Sequence, residues 1–144
     1  MTFKSLFSLL IAGSAVMSAD CWYGTGNDNT IYGIRNSVKG NGNYYEGNYN
    51  RGVGDMNSAY GNYNIQYGDQ NAAMGDYNRQ RGFSNGAFGS YNTQVGNYNA
   101  AVGNNNNQQG NSNFANGNNN NMRGNANEAH GNNNNIFGNH NWAG

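Results

Sequence analysis

Beyond residue 10 the chain contains no leucine, and isoleucine, valine and phenylalanine are sparse. An ordinary globular core is thereby excluded, because the side chains that usually fill one are missing. Blocks of like charge are missing too: charged residues make up 10% of the sequence, and seven Lys and Arg balance seven Asp and Glu. On that footing neither nucleic acid nor an anionic membrane surface is an expected partner. The single cysteine, Cys21, cannot close an internal disulfide, so it stands as a free thiol or bridges two chains. No Asn-x-Ser/Thr sequon occurs among the many asparagines, and N-glycosylation is not expected.

The only sustained apolar run, Leu6 to Val16, follows Lys4 and precedes the small residues Ser18 and Ala19. It is too short to span a bilayer, and nothing later is apolar enough to insert. Residues 1–19 are therefore expected to be a secretory signal peptide, with cleavage after Ser18 or Ala19 and an extracellular product. Asp20 stands where a small residue precedes a lipidated cysteine, which argues against lipidation of Cys21. Residues 20–25 then form a short N-terminal segment.

Low hydrophobicity with Asn, Gln, Gly and interspersed Tyr would ordinarily read as a disordered, prion-like polymer. Self-similarity argues otherwise. From Gly26 to Gly138 a glycine falls at every seventh position, and an asparagine follows three residues after each one, from Asn29 to Asn141, without a miss. Number the seven slots from the glycine. Slot six then alternates small and large from Ala59 to Ala143, through Gln66, Ala73, Gln80, Ala87 and Gln94, so the true period is fourteen residues. Tyrosines Tyr49, Tyr63, Tyr77 and Tyr91 recur at the same fourteen in slot three, and Asn105, Asn119 and Asn133 continue their column.

A coiled coil is rejected, since a glycine in each heptad would cost about 1 kcal/mol per occurrence and no paired apolar seam exists. In a β-strand alternate residues share a face, which places slots four, six and the next slot one inward and slots five and seven outward. Slots two and three form the corner, where Asn, Asp and Gly tolerate a left-handed backbone. The expected fold is all-β: a parallel β-solenoid over residues 26–144, an amyloid-like cross-β stack of 14-residue coils with two strand-turn units each. Some eight coils at about 4.8 Å would stand roughly 40 Å tall. Inside, Gln would fill space left by Ala, and like amides would form hydrogen-bonded ladders. Outside, the tyrosine ladder and a stripe of Tyr60, Met74, Phe88 and Val102 would face solvent or a laterally packed neighbour.

The segments 66–73, 80–87, 94–101 and 108–115 each read Gln-x-Gly-x-x-Asn-x-Ala. This pattern resembles the curlin repeat, the unit of the secreted subunits of curli, the amyloid fibres of bacterial biofilm matrix. The coil here is shorter, with Ala73 seven residues from Gln80. The resemblance implies inward stacking roles for Gln66, Asn71, Gln80, Asn85, Gln94, Asn99, Gln108 and Asn113, to which Asn57 is added by its slot.

No catalytic, cofactor or metal constellation is present: His130 and His140 occupy different slots with no further ligand at suitable spacing. The carboxylates stand singly, and Asp55 and Asp69, one coil apart, would make an unfavourable like-charge contact. Gly-Asn repeats lack the strand-to-helix switch of a phosphate loop. Arg79 and Arg81 share the outward side of one strand, where they could meet an acidic polymer or simply water. Because the last heptad, Gly138 to Gly144, is an ordinary unit, an exposed coil edge is expected to template further copies. The expected function is thus a non-enzymatic, secreted subunit that polymerises head to tail, its partner being itself and beyond that other matrix polymers or a cell surface. The alternatives are a monomeric binding solenoid such as an ice-binding protein, motivated by the runs 104–107, 118–121 and 132–135, and a disordered Asn-rich polymer.

Overall fold

The computed structural model describes residues 23–144; the expected signal segment and Cys21, with its expected bridge between chains, lie outside the described residues. Eighteen short strands follow one another with no helix among the described residues. Each occupies slots five to seven of a unit, as in Ile65–Tyr67, Ala72–Met74 and Arg79–Arg81. Alternate strands join two nine-stranded parallel sheets, so that one coil of fourteen residues contributes one strand to each. Like slot pairs with like slot throughout: Gln66 with Gln80, Gln80 with Gln94, Ala59 with Ala73 and Ala73 with Ala87. The chain is a parallel β-solenoid. It begins earlier than Gly26, because Tyr23–Thr25 already forms a strand paired with Ser37–Lys39.

The corners explain why the strands stop after three residues. Slot three is left-handed in nearly every unit, with φ of 58° at Tyr63 and 59° at Tyr77. The slot-one glycines were expected to form a third inward position, and the structure places them in the corner instead. Their φ is strongly positive, 107° at Gly68 and 132° at Gly82, and a Cβ on either would run into the carbonyl of the glycine one coil further on. The strict seven-residue glycine beat therefore records how closely one corner sits on the next.

Two inward positions remain per unit, slots four and six. The sheet carrying Gln66, Gln80, Gln94 and Gln108, hereafter the glutamine sheet, faces the alanine sheet with Ala59, Ala73, Ala87, Ala101 and Ala115, and all of these are buried. One coil reverses the sizes. Tyr45 is fully buried in the alanine sheet, and Gly52 opposite it leaves room that any Cβ would take from the Tyr45 hydroxyl. Apolar residues close the core at both ends, with Ile31, Val38 and Tyr45 at one and Met122, Ala129 and Ile136 at the other.

Backbone hydrogen bonding continues through the corners: Gly68 N donates to Val53 O and Tyr77 N to Asn62 O, each at 2.9 Å. Among the described residues only Asn107 Oδ1 is a buried side-chain polar atom without a partner. Replacing Gly68 with Ala combines a disfavoured φ with a clash against the next coil. It is expected to lower unfolding free energy by about 2 kcal/mol or more, seen as a lower urea midpoint.

Candidate functional site: ladders and coil edges

A buried primary amide has two donors and an acceptor to satisfy, and in this fold its copies one coil away do so. Asn64 is representative of slot four. Its backbone N–H donates to Asn50 Oδ1 at 2.9 Å, its Nδ2 to Gly75 O at 2.8 Å, and its own Oδ1 accepts from Asn78 N at 3.0 Å. Of the expected stacking residues, Asn57, Asn71, Asn85, Asn99 and Asn113 form one such column, each nearly solvent-free. A second column of Asn50, Asn64, Asn78, Asn92, Asn106 and Asn120 is equally buried and bonded, although the curlin-like motif does not mark it.

Gln66, Gln80, Gln94 and Gln108 form a directional ladder, each Nε2 donating to the next Oε1 at 2.9 Å. Its two ends are closed differently. At the acceptor end Tyr45 Oη donates to Gln66 Oε1 at 2.6 Å; at the donor end the Gln108 amide is taken up by Ala100 O and Asn113 O, so Met122 can follow without leaving it unpaired. Burial holds the Tyr45 phenol neutral by pushing its pKa far up.

Sequence reading missed a third ladder, on the outside of the corners. The backbone N–H of a slot-two residue donates to the slot-two side chain one coil later, as in Asn48 to Asn62 Oδ1 at 3.0 Å and Asn62 to Asp76 Oδ1 at 2.7 Å. The prevalence of Asn and Asp in that slot was the available signal. Asp55 and Asp69 stack one coil apart in this ladder, as expected: Asp69 Oδ1 accepts the Asp55 N–H at 2.8 Å, and Asp55 Oδ1 accepts from Asn41 N at 2.7 Å. Their stacking is set by these bonds.

Tyr49, Tyr63, Tyr77 and Tyr91 stack along one corner with ring centroids 4.7, 4.7 and 4.9 Å apart and planes within 4° of parallel. The left-handed backbone beneath each costs roughly 1–2 kcal/mol, and aromatic stacking offsets it by about 0.5–1.5 kcal/mol per pair. The phenol of Tyr77 is raised, first by desolvation within the stack and then by Tyr63 and Tyr91 on either side. On the outer surface Tyr60, Met74, Phe88 and Val102 form the expected exposed stripe on the alanine sheet. Nearby, Tyr44 donates to Glu46, and this hydrogen bond above all pushes its phenol up to about 12.

Among the described residues no group of three His, Cys, Asp or Glu could hold a metal ion. His130 instead contacts Glu128 at 2.5 Å, two residues away on one strand. No helix among the described residues is long and apolar enough to cross a membrane. What the arrangement offers chemically is a repeated pattern of donors and acceptors along one axis. No protein-family model matches the chain, and no curated protein matches it.

Two measurements test the ladders. Tyr45→Phe leaves Gln66 Oε1 without its donor in a dry interior and should cost about 1–3 kcal/mol. Because the folded pKa lies above the unfolded value of 10.0, the Tyr45 contribution is full below pH 10 and declines as pH rises beyond it, so the variant should lose less stability between neutral and strongly alkaline pH than the parent. For the corner, Tyr77→Val puts a β-branched residue at positive φ and should be less stable than Tyr77→Asn by about 1–2 kcal/mol in chemical denaturation.

Proposed function

We propose that this chain is a secreted structural subunit that stacks head to tail into extracellular amyloid-like fibres. The observation that carries the reading is the polarity of the ladders. From Asn43 to Asn141 the slot-four N–H points to the Oδ1 of the preceding coil, and slot-two N–H groups point to the side chain of the following one, except at Asp69, where Phe83 offers no acceptor. The two sides of a coil thus carry complementary slot-four patterns of donors and acceptors.

The coil edges keep that pattern. The edge made by Asn135–Phe137 and Trp142–Ala143 uses the same slots as an internal coil. Its amides have turned back: Asn134 Nδ2 donates to His130 O at 2.9 Å and Asn141 Nδ2 to Phe137 O at 3.2 Å, where internal copies reach forward to a glycine carbonyl. Asn27 and Asn29 begin the slot-two and slot-four columns among the described residues. Unpaired parallel strand edges template strand addition, and head-to-tail stacking of copies would produce an open filament. The signal-like residues 1–19 and the curlin-like segments support an extracellular, fibre-forming role on the same lines.

The Asn runs that motivated an ice-binding reading sit in the corners, with Asn106 and Asn120 buried and Asn104 and Asn118 engaged in the outer ladder. They do not present a flat array to solvent, and no observation favours that alternative.

The mature chain is expected to form fibres with a meridional reflection at about 4.7–4.8 Å and to be seeded by its own fragments. Trp142→Lys, which places a charge at an exposed position of the edge strand, should lengthen the lag at least severalfold while leaving the far-UV spectrum of the soluble chain unchanged. A chain that remained monomeric for days and gave no such reflection would sink the proposal.

A further inference from the structure

The outer faces of the two sheets differ in charge in a way that the linear sequence hides. Slots five and seven of the glutamine sheet carry Lys39, Arg51, Arg79, Arg81 and Arg123, all exposed, and no carboxylate. The same slots of the alanine sheet carry Glu46 and Glu128 and no Lys or Arg. In sequence these residues are scattered among neighbours of opposite sign. The fourteen-residue period sorts them, because positions a multiple of fourteen apart fall in one column. Arg51 and Arg79 share one column, two coils apart; Lys39, Arg81 and Arg123 share the adjacent one, spanning six coils or about 29 Å at the usual strand spacing.

None of these five cations has an acidic partner, the sole ion pair among the described residues being that of His130 with Glu128 on the other face. Two are held flat by aromatic rings of their own face: the Arg51 guanidinium lies 5.5 Å from the Tyr67 ring centroid and that of Arg123 5.8 Å from Phe137. Charges spaced by one to three coils lie within one or two Debye lengths at physiological salt, so their fields add. A small anion would meet one or two of them; an extended polyanion along the stack axis would meet most.

We propose that the outer face of the glutamine sheet binds a linear, carboxylated polysaccharide lying parallel to the stack axis. Guanidinium forks match carboxylates in geometry, and Val53, Ile65, Thr93 and Val95 supply uncharged positions between the cations for sugar rings. Single-stranded nucleic acid is disfavoured, since it needs aromatic platforms for its bases and Tyr67 and Phe137 already carry guanidinium groups. Duplex readout requires a helix or ribbon that enters a groove, and this face is a flat sheet. The surface belongs to the single chain and so stands independently of fibre formation, which would only extend it into a ribbon.

The test uses the mature chain, both as freshly prepared soluble protein and as any assembled material, with polygalacturonate as probe and with dextran and oligo(dT) as comparisons. Polygalacturonate should bind, dextran should not, and affinity should fall about tenfold or more between about 50 and 200 mM salt. Arg79→Gln/Arg81→Gln should weaken binding at least fivefold, as should Arg51→Gln/Arg123→Gln, whereas Glu46→Gln/Glu128→Gln on the opposite face should not weaken it. Circular dichroism of each variant confirms that the fold is retained, and the two cationic pairs guard against one of them failing to fold. Absence of polygalacturonate binding at low salt, unchanged affinity in both folded cationic variants, or tighter binding of oligo(dT) than of polygalacturonate would each overturn the assignment. Binding by a soluble chain that never assembles would uphold this inference and count against the fibre reading alone.

Discussion

Buried primary amides govern this structure. An asparagine or glutamine shut away from water costs several kcal/mol unless its donors and acceptor are met, and here almost every inward polar position holds one. Identical residues one coil above and one coil below meet most of these groups, and backbone carbonyls take the remaining amide donors. Asn64 bonded to Asn50 and Asn78, or Gln80 between Gln66 and Gln94, shows that the partner of each amide is its own copy. A slip of one residue would turn these amides outward and the outward side chains in. Register is enforced because a slip would separate these amides from their copies.

The same logic explains a core poor in hydrophobic residues. Dispersion and hydrogen bonding between stacked copies replace the apolar burial that leucine provides elsewhere, and the small residues of the alanine sheet let the sheets approach closely enough to exclude water. Where the amide ladder ends, the composition changes. Tyr45 supplies the last donor on one side while Gly52 makes room for its ring, and Met122 and Ile136 continue the column with apolar side chains on the other. Corners cost backbone energy at each left-handed slot three, and the stacked tyrosines along one corner return part of it.

A ladder that satisfies each coil by its neighbours offers the same bonds to a further copy placed on an edge coil. This links the packing of the interior to the proposed assembly of copies, since the groups that stabilise the fold are those that a second chain would engage. Side chains in slots five and seven take no part in the ladders, which frees them to vary. Their variation has segregated cations to one broad face and carboxylates to the other, giving a stack whose sides differ as much as its ends.

The heptad beat, the fourteen-residue period and the alternation of Ala with Gln were enough to read a β-solenoid, its inward Asn and Gln, and the tyrosine column, because each depends on spacing alone. Spacing could not assign the glycines, whose role is set by the approach of the next corner rather than by strand alternation. Nor could it find the slot-two ladder, the reversed pair of Tyr45 and Gly52, or the strand that begins at Tyr23 before the first repeat glycine. The sequence by itself determined which residues lie above one another, since a constant period carries that information directly. Only the tertiary structure decided which atoms meet and which way each ladder runs, because those depend on the turn of the coil and the separation of its two sheets.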